Sequence, residues 1–135
     1  MPIDRVLHHV VDTNVCIHYM RGHETAVKWL VENRRHSAIT DVVRLELFRR
    51  ANKPSSRRTI ENFVASMHVL LTERAHIARA KTCYRDWERS RGPNPDLPDM
   101  MIAQVALSHG LSIVTENLKD FEHIPGIDLV AMDFS

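Results

Sequence analysis

Five short apolar stretches rich in β-branched residues punctuate the chain: Val6–Val11, Ser37–Thr40, His68–Leu71, Leu111–Thr115 and Ile127–Met132. Their length and composition predict strands. The segments between them keep helical spacing. His23–Asn33 places Ala26, Val27, Leu30 and Val31 on one face, and Asp41–Ala51 does the same with Val42, Leu45 and Phe48. Thr59–Ala65 and Glu73–Arg89 continue the pattern, and Asp99–His109 stops at Gly110, a residue that suits the position just past a helix. A helical pattern also follows the first strand directly after Asp12. Strands that alternate with helices predict an α/β domain with a mostly parallel central sheet. The main interruption is "RGPNPDLPD", where Pro93, Pro95 and Pro98 are incompatible with a continuous helix. No internal repeat, linker or low-complexity tract breaks the chain, so residues 1–135 read as one domain.

Composition narrows this picture by exclusion. At 135 residues, 44% hydrophobic and 26% charged, the chain has ordinary globular content and can bury a core without staples. A net charge of +1 gives no global pull toward nucleic acid or membranes, so any such attraction must come from a local patch. Cys16 and Cys83 are far apart and form no CxxC, which fits free thiols in a reducing cytosol better than disulfides or a thiolate zinc site. With no apolar run of about 18 residues and no signal-like start, the expectation is a cytoplasmic protein that avoids membranes.

Candidate chemistry lies at the strand ends. Asp12 follows the apolar run into Val11, in "VVDTNVCIHYM". It could simply cap the next helix. In open α/β sheets, however, ligands bind beyond the carboxyl ends of the strands, which is where Asp12 sits. Glu46, in "TDVVRLELFRRA", is wedged between Leu45 and Leu47, and Asp99 opens a helix after Pro98. The strand "LSIVT" runs into "ENLKDFEHI", which holds Glu116, Asn117 and Asp120. Two like charges about 4 Å apart repel by roughly 4 kcal/mol at an effective dielectric near 20, so gathered acids imply a bound cation. The nine histidines show no metal-ligand spacing. His18, one turn past Asn14, reads as a solvated helix residue, with a partner or nucleotide contact as the alternative. The run "FRRANKPSSRR" carries Arg49, Arg50, Lys53, Arg57 and Arg58 just past Glu46. It is either a solvated helix end or a track for a phosphate backbone.

Three segments, taken in order, resemble one family: "VVDTNVCIHYM", "AITDVVRLELFRRA" and "LPDMMIAQVALSHGLSIVTENLKDFEHIPGI". The chain is similar to PIN-domain ribonucleases, and in particular to VapC-type toxins of bacterial toxin–antitoxin pairs. The resemblance covers nearly the whole length. It implies a three-layer α/β/α sandwich with a five-stranded, mostly parallel sheet, and an endoribonuclease that hydrolyses RNA phosphodiester bonds with Mg²⁺, for which Mn²⁺ would substitute. It also implies catalytic acids at Asp12, Glu46, Asp99 and Asp120, with Asp12 and Asp99 on the metal and the other two acting through water. Thr13, Asn14, Thr115 and Asn117 would be polar neighbours. Many members carry Asp where Asn117 stands, so Glu116, Asn117 and Asp120 all remain candidates to complete the site, and one or two ions could bind. The expected partners are RNA, a small antitoxin and a second copy of the chain, with apolar faces for association on segments 23–34 and 41–52. A receiver-type domain wants paired acids after its first strand, and a dehalogenase-type phosphatase wants D-x-D; Asp12-Thr13-Asn14 meets neither pattern. A non-toxin RNA-processing nuclease of the same fold, or a non-catalytic binding module, remains as the alternative.

Overall fold

The computed structural model describes residues 6–90 and 94–135. Its strands are β1 (His9–Val11), β2 (Ser37–Thr40), β3 (His68–Leu70), β4 (Ser112–Thr115) and β5 (Leu129–Ala131). All pair in parallel, in the order β3-β2-β1-β4-β5. Each falls inside its expected stretch; β2 matches it at both ends and the other four are shorter. Val6, for example, lies before the first paired residue and is well exposed.

The helices are α1 (Thr13–Met20), α2 (Glu24–Asn33), α3 (Asp41–Arg50), α4 (Pro54–Ala65), α5 (Arg74–Ser90) and α6 (Leu97–Ser108). Consecutive strand residues Val10 and Val11, Ala38 and Ile39, and Ile113 and Val114 are all fully buried, so the sheet is covered on both faces. That is the three-layer α/β/α arrangement, and it explains why these strands read as continuous apolar runs without alternation. Among the described residues, no helix is long and apolar enough to cross a membrane.

Two helix starts differ from the sequence reading, and proline explains both. Helix α4 begins at Pro54, five positions before Thr59, because extended Lys53 leads into a proline whose fixed φ suits the first helical position. Helix α6 begins at Leu97, which puts Pro98 inside the first turn, where its missing N–H has no partner to lose. Pro98 therefore helps to start this helix. Pro93 lies outside the described residues.

The order of the sheet reverses between β1 and β4. From β1 the chain winds outward to β2 and β3, then returns to place β4 and β5 on the other side. A crevice therefore opens at the carboxyl ends of β1 and β4, the position where such folds bind ligands. Gly110 feeds β4 into this gap. Its φ of +66° lets the chain turn off α6, while Gly110 N–H donates to Leu107 O and Leu111 N–H to Ala106 O.

Candidate active site

Asp12 is the first residue beyond β1 and is almost fully buried. Its own N–H donates to Val114 O at 2.9 Å, tying it to β4. The carboxylate accepts on both oxygens. Thr13 N–H donates to Oδ1 at 2.8 Å, Thr115 Oγ1 to Oδ2 at 2.8 Å, and Asn14 Nδ2 to Oδ2 at 3.4 Å. Asp12 is thus a helix N-cap and also the centre of a polar cluster. These donors favour the charged form, yet burial outweighs them. With the charges of Glu46 and Asp120 adding to it, burial lifts the carboxyl to about 6.

Glu46 arrives on α3, whose start is capped by Thr40 Oγ1 accepting from Val43 N–H. Its neighbours part ways: Leu47 enters the core and Leu45 is 71% exposed. Glu46 itself is half-buried, and its Oε1 accepts from Thr13 Oγ1 at 2.7 Å. Asp99, in the first turn of α6, is lifted to about 7. Burial is the main cause, followed by the charges of Asp12, Asp120, Asp96 and Glu46. Asp120 ends a 3₁₀ turn at Leu118–Asp120, and its carboxyl is also raised, by burial and then by Asp96. The four expected acids therefore share one electrostatic field.

Thr115 is fully buried and works in both directions: its Oγ1 donates to Asp12 and accepts from Asn117 N–H at 3.0 Å. Asn14 holds Asp12 with its nitrogen, while its buried Oδ1 has no donor. Glu116 turns elsewhere, toward His18 Nε2 at 3.4 Å. The His18 ring stacks on Phe134 with centroids 4.1 Å apart, and His23 Nε2 meets Phe134 O at 3.2 Å. His18 is thus held in an aromatic cluster, where the sequence suggested a solvated side chain.

Two charged residues escaped the sequence reading. Asp96 is the N-cap residue of α6, makes no side-chain capping bond, and acts on both Asp99 and Asp120. With Lys119 it lines a hollow of about 200 Å³ that Asp99 and Asp120 also line. The signal for Asp96 was present in "PDLPD", an acid three positions before another at a helix start.

The basic run is exposed throughout: Arg49 and Arg50 in the last turn of α3, Lys53 at the start of α4, Arg57 and Arg58 within it. Arg50 stands one helical turn from Glu46 and lines a groove of about 410 Å³ with Arg21, Ile17 and Met20 of α1 and Thr59 and Ile60 of α4.

A second polar pair invites misreading. His76 Nε2 and Ser108 Oγ are 2.7 Å apart, like a base and its nucleophile. Their protons are already assigned, however. Glu73 N–H donates to His76 Nδ1 at 2.8 Å, so that nitrogen carries the lone pair and Nε2 carries the proton. Ser108 Oγ accepts that proton and donates its own to Val105 O at 2.9 Å. No lone pair faces the serine, so this is a structural clasp between α5 and α6.

Among the described residues, no three His, Cys, Asp or Glu side chains stand close enough to enclose a metal ion. The donor set nevertheless fits a hard, hydrated cation. It is all oxygen, Asp12 and Asp99 are raised by burial and then by the charge of neighbouring acids, and Asn14 Oδ1 offers a further acceptor. Mg²⁺ keeps several waters and needs only one or two direct carboxylates, with others acting through those waters.

A parallel sheet whose order reverses at a cluster of acids defines an α/β protein with an acidic site at its switch point. The chain belongs to the PIN domain family, which matches residues 9–127. It is 33% identical over 128 residues to the tRNA(fMet)-specific endonuclease VapC of Shigella flexneri, covering 90% of this chain and 96% of that protein. Its fold superposes on DNA-bound VapBC from Salmonella typhimurium with a TM-score of 0.82 at 27% identity, covering 93% of this chain and 98% of that one. VapBC2 from Rickettsia felis, bound to a promoter DNA fragment, shares the fold with a TM-score of 0.80 at 19% identity, covering 94% and 100%.

Proposed function

We propose that this protein is a divalent-metal-dependent endoribonuclease and the toxin of a toxin–antitoxin pair. The observation that carries the reading is the gathering of Asp12, Glu46, Asp99 and Asp120 at the sheet's switch point, where burial, with their mutual charge adding to it, lifts Asp12 to about 6 and Asp99 to about 7. Likeness to a tRNA-specific endonuclease supports RNA as the substrate class. Asp12 and Asp99 would hold Mg²⁺, or Mn²⁺ in its place, which would supply charge neutralisation at the scissile phosphate and a more acidic water. Thr115 and the Thr13 N–H fix the Asp12 carboxylate, and Thr13 Oγ1 positions Glu46 to take the proton of the attacking water. Asn14 Oδ1 offers an acceptor for a water beside them. Asp120 is the fourth acid, since its charge reaches Asp12 and Asp99 whereas Glu116 is paired with His18.

Likeness to VapBC assemblies supports a small antitoxin as partner. The groove beside Arg21 and Arg50 suits an amphipathic helix with acidic flanks. A second copy of the chain fits the open apolar face of about 740 Å³ formed by Leu45, Phe48, Ile77, Leu97 and Met101. Purified protein freed of its partner is expected to cut RNA with Mg²⁺ or Mn²⁺ and to stop in EDTA. Cleavage that persists in EDTA or in Asp12→Ala defeats the metal-nuclease reading. Failure of the neighbouring small protein to bind and inhibit defeats the toxin assignment alone.

A further inference from the structure

We propose that the slot between α5 and α6 is a nucleobase pocket that selects the base beside the cleaved phosphate. This deepens the nuclease reading and rests on it. Trp87 and His123 line the acidic hollow of Asp96, Asp99, Lys119 and Asp120, and they also line a second space of about 460 Å³. The second space is walled mainly by carbon, from Cys83, Leu107, Ile124 and Pro125. Its size lies in the roughly 300–1,000 Å³ range of small-ligand pockets. A phosphate held by Lys119 at the edge of the acids would thus place its attached base within reach of an apolar slot through one shared wall.

That wall is aromatic. Trp87 and His123 meet edge to face with centroids 6.1 Å apart, and the His123 side chain is 50% exposed, so an incoming base has a ring to stack on. Unpaired RNA bases are held in this way, stacked on aromatic side chains with their edges hydrogen-bonded. An edge reader is in place. Gln104, on the buried side of α6, lines the slot and is only 4% exposed. Its amide nitrogen donates to Met100 Sδ at 3.4 Å, a weak acceptor that a base oxygen or ring nitrogen readily displaces. A polar amide buried on an otherwise apolar helix face is what discrimination between bases requires.

The test uses Trp87 as its own reporter. In a Trp29→Phe background Trp87 is the sole tryptophan. The metal-free protein in EDTA is titrated with short single-stranded oligoribonucleotides of A, C, G or U while tryptophan emission is followed. One base is expected to change the emission most. His123→Ala should weaken that binding by about 5- to 150-fold, the range for one lost stacking contact. Gln104→Leu should level the preference among bases while its melting transition stays cooperative. With metal present, the same variants should raise KM or shift the cleavage position, with kcat on the best remaining site little changed. A silent Trp87 with RNA bound elsewhere overturns the pocket and leaves the nuclease standing. Emission that responds to a partner protein but to no oligonucleotide makes the slot a protein-docking site and also overturns it. Absence of cleavage by the wild type would count against the nuclease, while the metal-free titration still decides the pocket.

Discussion

Thr13 donates its hydroxyl proton to Glu46 at 2.7 Å and its N–H to Asp12 at 2.8 Å, so one residue braces two acids from different elements. Thr13→Val keeps the shape and the N–H but loses the hydroxyl. A hydrogen bond to a charged group contributes roughly 1.5–3 kcal/mol, which sets the expected loss in the transition state at about tenfold or more in kcat. Thr13→Ser should recover most of it. Equal kcat for Thr13→Val and wild type in steady-state cleavage would remove Thr13 from the machinery.

Asp99→Asn separates a metal site from a helix-start ornament. The carboxyl of Asp99 is raised chiefly by burial and by its acidic neighbours, so the metal-free protein loses repulsion when the charge goes. Its melting temperature in EDTA should hold or rise, against a lost dipole interaction of at most about 1 kcal/mol. The stabilisation that millimolar Mg²⁺ or Mn²⁺ gives the wild type should largely vanish. Equal metal shifts in both proteins would exclude Asp99 as a ligand.

The acid cluster's contribution to metal-free stability should fall as pH rises, opposed below pH 6.5 by His9, which burial and then the charges of His8 and His36 hold below that ordinary value. Asp12 titrates near 6 and Asp99 near 7, both above the 3.8 of an unperturbed Asp. The folded state therefore binds more protons than the unfolded chain between those limits. Stability contributed by these groups is intact at about pH 4 and drains away up to about pH 7. Saturating Mg²⁺ should flatten or reverse the trend, because the ion replaces the protons. Melting temperatures in EDTA from pH 5 to 8 measure this; a rise toward pH 8 would contradict it.

Ser108→Ala should leave RNA cleavage untouched and cost roughly 1–3 kcal/mol, because the proton inventory makes Ser108 a link in a clasp. Chemical denaturation and a cleavage assay on the same preparation decide it. Lost cleavage with normal stability would mean that the hydroxyl is a nucleophile after all.

Replacing Arg49, Arg50 and Lys53 by Gln should weaken RNA binding across sequences. On single strands each phosphate contact removed should flatten the salt dependence by up to about 0.7 log unit. An unchanged slope assigns the exposed run to solvent.

Much of this was readable in the residues, for an identifiable reason. Parallel strands buried on both faces leave uninterrupted apolar runs, so Val10–Val11 and Ile113–Val114 announced themselves, and with them the positions just after their carboxyl ends. Asp12 followed from that placement, whereas Thr115 and the roles of Glu46, Asp99 and Asp120 came with the family resemblance. What escaped depends on contacts between distant segments. The stacking of His18 on Phe134 joins α1 to the end of the chain, and no local spacing encodes it. Asp96 and Lys119 share a hollow only because α6 and the 3₁₀ turn after β4 are brought together. Pro98 was read as part of a break, although a first helical turn tolerates proline, and the start of α4 at Pro54 was a local signal left unread.

The place of β4 between β1 and β5 also sets when the site can exist. On the ribosome, Asp12 emerges ahead of β2 and β3, which follow on one side. Its other neighbour, and the Thr115 hydroxyl that orients it, lie 103 positions further along. Until they are synthesised, β1 has an open edge and the Asp12 carboxylate lacks its Thr115 donor, so a chain halted before Leu111 is expected to be inert toward RNA. A chain of this topology cannot assemble its acid site before β4 is made, whatever part of it has already folded.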